Sequence, residues 1–134
     1  MSAATITLKH PRAFFIGGRW VPASSSASFD VLNCSTEEVA ITVAAAQRAD
    51  VDKALAAARD AFDKGPWPRL TPQQRAGYLK KISERFKVLN DEFARIWSIE
   101  SGVVYKVAQP RLGVFLQAAF AQYAAMADTF PFAE

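Results

Sequence analysis

Pro66-Trp67-Pro68-Arg69-Leu70-Thr71-Pro72 sets three prolines within seven residues. Each fixes its own φ, lacks an amide donor and pushes the preceding residue out of the helical region, so no helix runs through this stretch. The chain must enter and leave it as separate elements. Upstream, Val51, Ala54, Leu55, Ala58 and Phe62 recur at helical spacing and define one apolar stripe. Asp50 is placed to cap the start of that helix. Gly65 followed by Pro66 predicts a left-handed end. Asp60 and Lys64, four apart, make a solvent-side pair of about 0.3 kcal/mol. The many alanines let another backbone approach closely, so this helix is expected to pack tightly against a neighbour. Downstream, Thr71 caps a second helix, Pro72 takes its first position and Gln74 completes a capping box. Trp67 reads as a hydrophobic plug between the two helices.

The first third of the chain reads as β. Gly17-Gly18 can adopt the positive φ values of a two-residue turn, which makes Phe14 to Val21 a hairpin. No further glycine follows at nucleotide-binding spacing, so the pair is not a phosphate loop. Ser24 to Ser28 forms a polar loop. Phe29 to Asn33 and Val39 to Ala44 are two short β-rich runs joined by a polar turn. Residues 1–13 lack periodicity and turn chemistry, and are expected as a flexible leader or an arm on a neighbouring surface.

Beyond Asp50 the pattern is helical. Tyr78, Leu79, Ile82, Phe86 and Leu89 share one face of a helix from Thr71 to about Asn90, with Lys80, Lys81, Glu84, Arg85 and Lys87 largely elsewhere as a solvated surface. Asn90 can cap a third helix, Asp91 and Glu92 suit its dipole, and Gly102 ends it. Phe93, Ile96 and Trp97 form its apolar stripe. From Pro110 to Phe130, Leu112, Phe115, Leu116, Ala119, Phe120, Tyr123, Met126 and Phe130 recur at near-heptad spacing. Only Arg111 and Asp128 are ionised in that span, so this fourth helix is expected to be buried on most sides or, if left exposed, to drive association.

Composition narrows the function classes. A hydrophobic content of 51% over 134 residues is enough for one packed domain. The net charge of +3 is spread without a basic block, which argues against nucleic-acid binding. No apolar run reaches membrane-spanning length and no signal peptide is evident, and one cysteine rules out an internal disulfide. The expected compartment is the cytosol. Cys34 and His10, the single cysteine and single histidine, make neither a nucleophile–base pair nor a zinc site. Glu37-Glu38 reads as an exposed turn, with nothing nearby to shift either pKa. Catalytic, cofactor-binding and metal residues are therefore expected to be absent.

The order of these pieces resembles the N-terminal region of aldehyde dehydrogenases. The resemblance is carried by Ala49 to Phe62, Gly65-Pro66-Trp67 and the capped helix with Gln74-Arg75. Phe15 to Val21 is similar to the family's opening hairpin, and Phe29 to Asn33, Ser35-Thr36 and Val39 to Val43 to its next two strands. Ile99-Glu100-Ser101-Gly102 and Tyr123 to Asp128 are similar to the ends of its later helices, so that about residues 14–130 are covered. Asn33-Cys34-Ser35-Thr36-Glu37-Glu38 departs from the family's Asn-Pro and Thr-Gly-Glu turn, which puts Cys34 at a proline position and Glu37 where glycine accepts positive φ. Gly102-Val103-Val104 stands in place of Gly-Lys-Pro.

The resemblance implies an α+β fragment: a hairpin and short strands over 14–46, then four mainly amphipathic helices over 49–132, forming the outer part of a Rossmann-like cofactor domain. It implies a parent that oxidises an aldehyde to a carboxylic acid with NAD or NADP, whose cofactor motifs and catalytic residues lie beyond the matched part. This chain alone is expected to bind no cofactor and to be inactive. The expected partner is the remainder of the enzyme or another subunit, with self-association through the apolar last helix. The competing reading is a free-standing helical interaction module that binds a protein through that helix. Phe115 matches a position facing the family's aldehyde channel and Arg111, one turn earlier, would stand near its entrance. Equally, Phe115 belongs to the apolar series and reads as helix–helix core.

Overall fold

A computed structural model describes residues 6–132. The expected class stands, α+β with short strand pairs followed by helices. The segment expected as one partial domain divides into two compact units, one closing at Pro68 and the other opening at Arg69.

In the first unit, β1 (Ala13–Ile16) and β2 (Arg19–Pro22) pair antiparallel with Phe14 opposite Val21 and Phe15 opposite Trp20. Gly17 and Gly18 take φ of 59° and 79° at the turn, which closes the hairpin on two residues. β3 (Ser28–Leu32) and β4 (Val39–Ala44) form a second antiparallel pair, irregular between Val31 and Leu32. Their connecting turn places Glu37 at φ 60°, a conformation that crowds Cβ and costs roughly 1–2 kcal/mol for a residue other than glycine.

Of the leader expected to be flexible or an arm on a neighbouring surface, residues 1–5 lie outside the described residues. The rest is laid against the strands: the Ile6 amide donates to the Ala40 carbonyl (3.3 Å), and the Pro11 carbonyl accepts from the Ala44 amide (2.9 Å). Ile6 is buried there.

α1 (Arg48–Lys64) begins two residues before the expected cap. Asp50 occupies the third helical position and is almost fully covered, at 2% exposure. Its carboxylate accepts from the Gln47 amide (3.0 Å), the Ser24 hydroxyl (2.7 Å) and the Ser24 amide (3.0 Å). Those bonds, the Gln47 amide first, hold the Asp50 carboxyl below the usual carboxylate range. The serine loop is thereby tied to the helix start. The expected left-handed Gly65 is corrected: it is extended, at φ −68° and ψ 164°, because the following Pro66 excludes the helical region. Tight packing of α1 is corrected too, since Val51, Leu55 and Phe62 are all exposed. Trp67, in the 3-10 turn Trp67–Arg69, is only half covered. Asp60 and Lys64 do pair on the surface, at 2.5 Å.

The second unit is built on α2 (Pro72–Ser101). Thr71 caps it, with the Gln74 amide donating to the Thr71 hydroxyl (3.2 Å) and the Thr71 amide to the Gln74 side chain (2.9 Å). The helices expected on either side of Asn90 are one. A single asparagine weakens a helix by a few tenths of a kcal/mol, too little to break it where packing continues on both sides. Gly102 ends it at φ 69°. The covered face is also rotated from the expected one: Tyr78 and Ile82 are exposed, while Ala76, Ser83 and Ala94 are buried. Ser83 hides its polarity by donating to the Gln117 carbonyl (2.9 Å).

The expected fourth helix starts early and is broken. α3 (Tyr105–Pro110) runs into a π-helical turn, Arg111–Leu116, then α4 (Gln117–Ala125) and a 3-10 turn, Met126–Asp128. All of these pack on α2. Ala76, Ala124 and Ala127 form the buried cluster, with Leu79 against it. Phe86 stacks on Phe120 at 5.5 Å between ring centroids. Of the two outcomes expected for the last helix, burial on most sides or exposure, this chain shows exposure at Phe115, Tyr123 and Phe130. None of the described helices is long and apolar enough to cross a membrane.

Replacing Glu37 by glycine should raise stability by about 1 kcal/mol, since it removes the positive-φ penalty. A denaturant midpoint unchanged or lowered by that replacement would contradict the strain. Ala94→Leu should destabilise by roughly 1–3 kcal/mol, because Ala94 is wholly covered, at 0% exposure, and has no room for added carbons. Urea titration followed by circular dichroism of the helices measures it.

Candidate functional site

Both residues singled out for an aldehyde channel, Arg111 and Phe115, lie on the π-helical turn. The turn has a local cause. Pro110 offers no amide to the carbonyl four residues back, that of Lys106, and its ring crowds that carbonyl, so the backbone widens. Arg111, Val114 and Phe115 face solvent, with Phe115 71% exposed. Leu112, Gly113 and Leu116 are half-buried, and the turn packs on α2. At that exposure Phe115 does not take the helix–helix core role considered for it.

Two consecutive α2 residues hold this region, and neither was apparent as a site in the sequence. The Tyr105 hydroxyl, at the start of α3, donates to the Asp91 carboxylate. Arg95 donates to the other oxygen of Asp91 (2.8 Å) and lies over the Tyr105 ring, 5.1 Å from its centroid. Tyr105 first and Arg95 second hold the Asp91 carboxyl below its usual range, while the bond to Asp91 raises the Tyr105 phenol. One residue earlier, Asn90 lies against Gly113: a Cβ built there would meet Asn90 Nδ2 at 2.5 Å, Cγ at 2.7 Å and Oδ1 at 2.9 Å. The available signal was Pro110 and Gly113 within one apolar run, a combination that marks an irregular turn.

The other chemistry-bearing residues stay apart in the fold. His10 precedes β1 and stacks on Trp20 at 4.5 Å. Cys34 is exposed in the turn after β3 and forms no disulfide. Glu37 and Glu38 end the same turn, where Asn33 organises the backbone by accepting from Ser35 (3.0 Å). Among the described residues no three histidine, cysteine or acidic side chains come together to hold a metal ion.

Residues 20–131 match the model of the aldehyde dehydrogenase family. Aldehyde dehydrogenase 1 of Tanacetum cinerariifolium is 37% identical over 85% of this chain and 23% of that protein. Cytosolic 10-formyltetrahydrofolate dehydrogenase of Xenopus laevis is 34% identical over 84% of this chain and 12% of that protein. Among solved structures, an aldehyde dehydrogenase of Mycobacterium tuberculosis complexed with NAD+ superposes at a TM-score of 0.83 and 32% identity, over 92% of this chain and 26% of that one. The chain therefore spans 12% to 26% of these proteins' own length.

The Asp91–Tyr105 bond sets a pH window. Asp91 has a lowered folded pKa, so its contribution is present above the ordinary carboxylate range and lost as pH falls through the folded value. Tyr105 has a raised one, so its contribution is present below the ordinary phenol range and lost as pH rises through the folded value. Tyr105→Phe should lower the melting temperature at neutral pH and flatten the alkaline limb of the pH–stability curve. A phenylalanine variant with an unchanged alkaline limb would show that the bond is not held in solution.

Proposed function

The chain belongs to the aldehyde dehydrogenase family, and from that premise we propose that it serves as the N-terminal segment of an enzyme that oxidises an aldehyde to a carboxylic acid with NAD or NADP. The supporting observation is coverage: the family match runs over residues 20–131, yet the chain amounts to 23% of one relative and 26% of another. NAD is the favoured cofactor for the parent, as the Mycobacterium tuberculosis structure is complexed with it. In the parent reaction a cysteine thiolate attacks the carbonyl, hydride passes to the nicotinamide, and water hydrolyses the thioester. The resemblance puts the family's cofactor motifs and catalytic residues beyond the matched part, and on that ground the chain by itself is read as inactive.

What this segment supplies is a wall and a docking face. Phe115, exposed on its turn, lines the path of the aldehyde as an apolar surface, and Arg111 stands at the entrance. Tyr123, 64% exposed, and Phe130 extend an apolar surface suited to burial against the remainder of the enzyme, in a cytoplasmic oligomer. The same exposed surface favours, as a second reading, a helical module that binds a protein partner there.

Purified 134-residue chain should give no aldehyde-dependent reduction of NAD or NADP, and the product of any longer reading frame through Glu134 should give it. Activity of the pure short chain would overturn the proposal. In the longer product, Phe115→Ala should change kcat/KM between small and bulky aldehydes by at least a few fold, as expected for altered pocket volume.

A further inference from the structure

We propose that Asn90 is a positioning residue, a wedge against Gly113 that keeps the turn Arg111–Leu116 in its π register and so fixes how Arg111 and Phe115 are presented. Only their use as channel residues rests on the function proposed above. The wedge itself stands on three observations.

The first is energetic. Asn90 Oδ1 is buried and has no hydrogen-bond partner. An amide oxygen left so is unfavourable by about 1–3 kcal/mol, a cost that leucine of similar size would avoid. The second is the shape of the contact. All three terminal atoms of the carboxamide lie within 3 Å of the space a Gly113 Cβ would fill, so the flat amide covers the Gly113 Cα and no side chain fits between them. The third is the turn. A π-helical turn carries one residue more than an α-helical one, and slipping back to α geometry would rotate everything beyond it by about 100°, the angle per residue of an α-helix. Pro110 starts the widening but does not fix where it ends. Asn90 meets Gly113 in its middle, while the neighbouring Asp91 holds Tyr105 at the start of α3. Consecutive residues of one rigid helix therefore grip the segment at two points.

The test places a fluorinated phenylalanine at position 115 of the chain and follows its fluorine resonance. One line is expected for the parent sequence. Gly113→Ala should shift or split that line, because the new methyl collides with the amide. Adding Asn90→Ala to that variant should restore a single line near the original position. Asn90→Ala alone should broaden or split the line and speed amide exchange of Leu116 and Gln117 by about tenfold, with Ala76 and Leu79 unaffected. A line unmoved by Asn90→Ala, or effects of the two substitutions that simply add, would overturn the wedge. If Gly113→Ala alone fails to fold by circular dichroism, the Asn90→Ala line and exchange rates decide. The two readings fail separately. An unmoved fluorine line removes the wedge and leaves the channel, whereas unchanged aldehyde preference on Phe115→Ala removes the channel and leaves the wedge.

Discussion

The second unit depends on close approach between α2 and the helical run that returns along it, and alanine makes that approach possible. Ala76, Ala94, Ala108, Ala124 and Ala127 are the buried apolar residues of this seam. Each contributes little transfer free energy, yet their small volume lets the backbones come near enough for Phe86 and Phe120 to stack and for Ser83 to reach the Gln117 carbonyl. Gln73 closes the far end by donating to the Ala127 carbonyl and Asp128, both at 3.3 Å. A seam of small residues is specific because it tolerates no enlargement. It is weak because it buries little area.

That weakness bears on function. Among the described residues no large side chain is fully buried, while Leu55, Phe62, Phe115, Tyr123 and Phe130 stand exposed. Ordinary single domains bury residues of this kind, each worth about 1.5–3 kcal/mol when fully covered. This chain leaves them open, and it spans 23% and 26% of two family proteins that it matches. The polar ties matter correspondingly more. Asp50 with Ser24 in the first unit, and Asp91 with Tyr105 and Arg95 in the second, fix segments that the core alone holds loosely.

Local chemistry was legible wherever one residue type had one physical use. Gly17-Gly18 could close the hairpin, Thr71-Pro72 with Gln74 could start α2, and Gly102 could end it. Each expectation rests on backbone sterics or on a bond spanning three residues, which need no tertiary partner. Local reading misled where two local signals competed. Gly65 suggested a left-handed end, but the proline after it decided; Asn90 suggested a cap, but it lies in the covered face of one long helix. Family resemblance singled out Phe115 and Arg111 as channel residues, but the helical periodicity did not place them on a wide turn.

The sequence by itself determined the family resemblance, the α+β order, the break between helices at Pro66 to Pro72 and the principal caps, the last three because they follow from residue type at short range. Only the tertiary structure decided which face of α2 is covered, that Ser83 and Asn90 belong to it, and that Pro110 opens a π turn closed against Asn90 at Gly113. Helical periodicity defines a stripe to within a rotation of one residue, and the width of the opposing surface selects among the rotations. Here that surface is narrow and alanine-rich, so it accepts the side carrying small residues and turns Tyr78 and Ile82 outward.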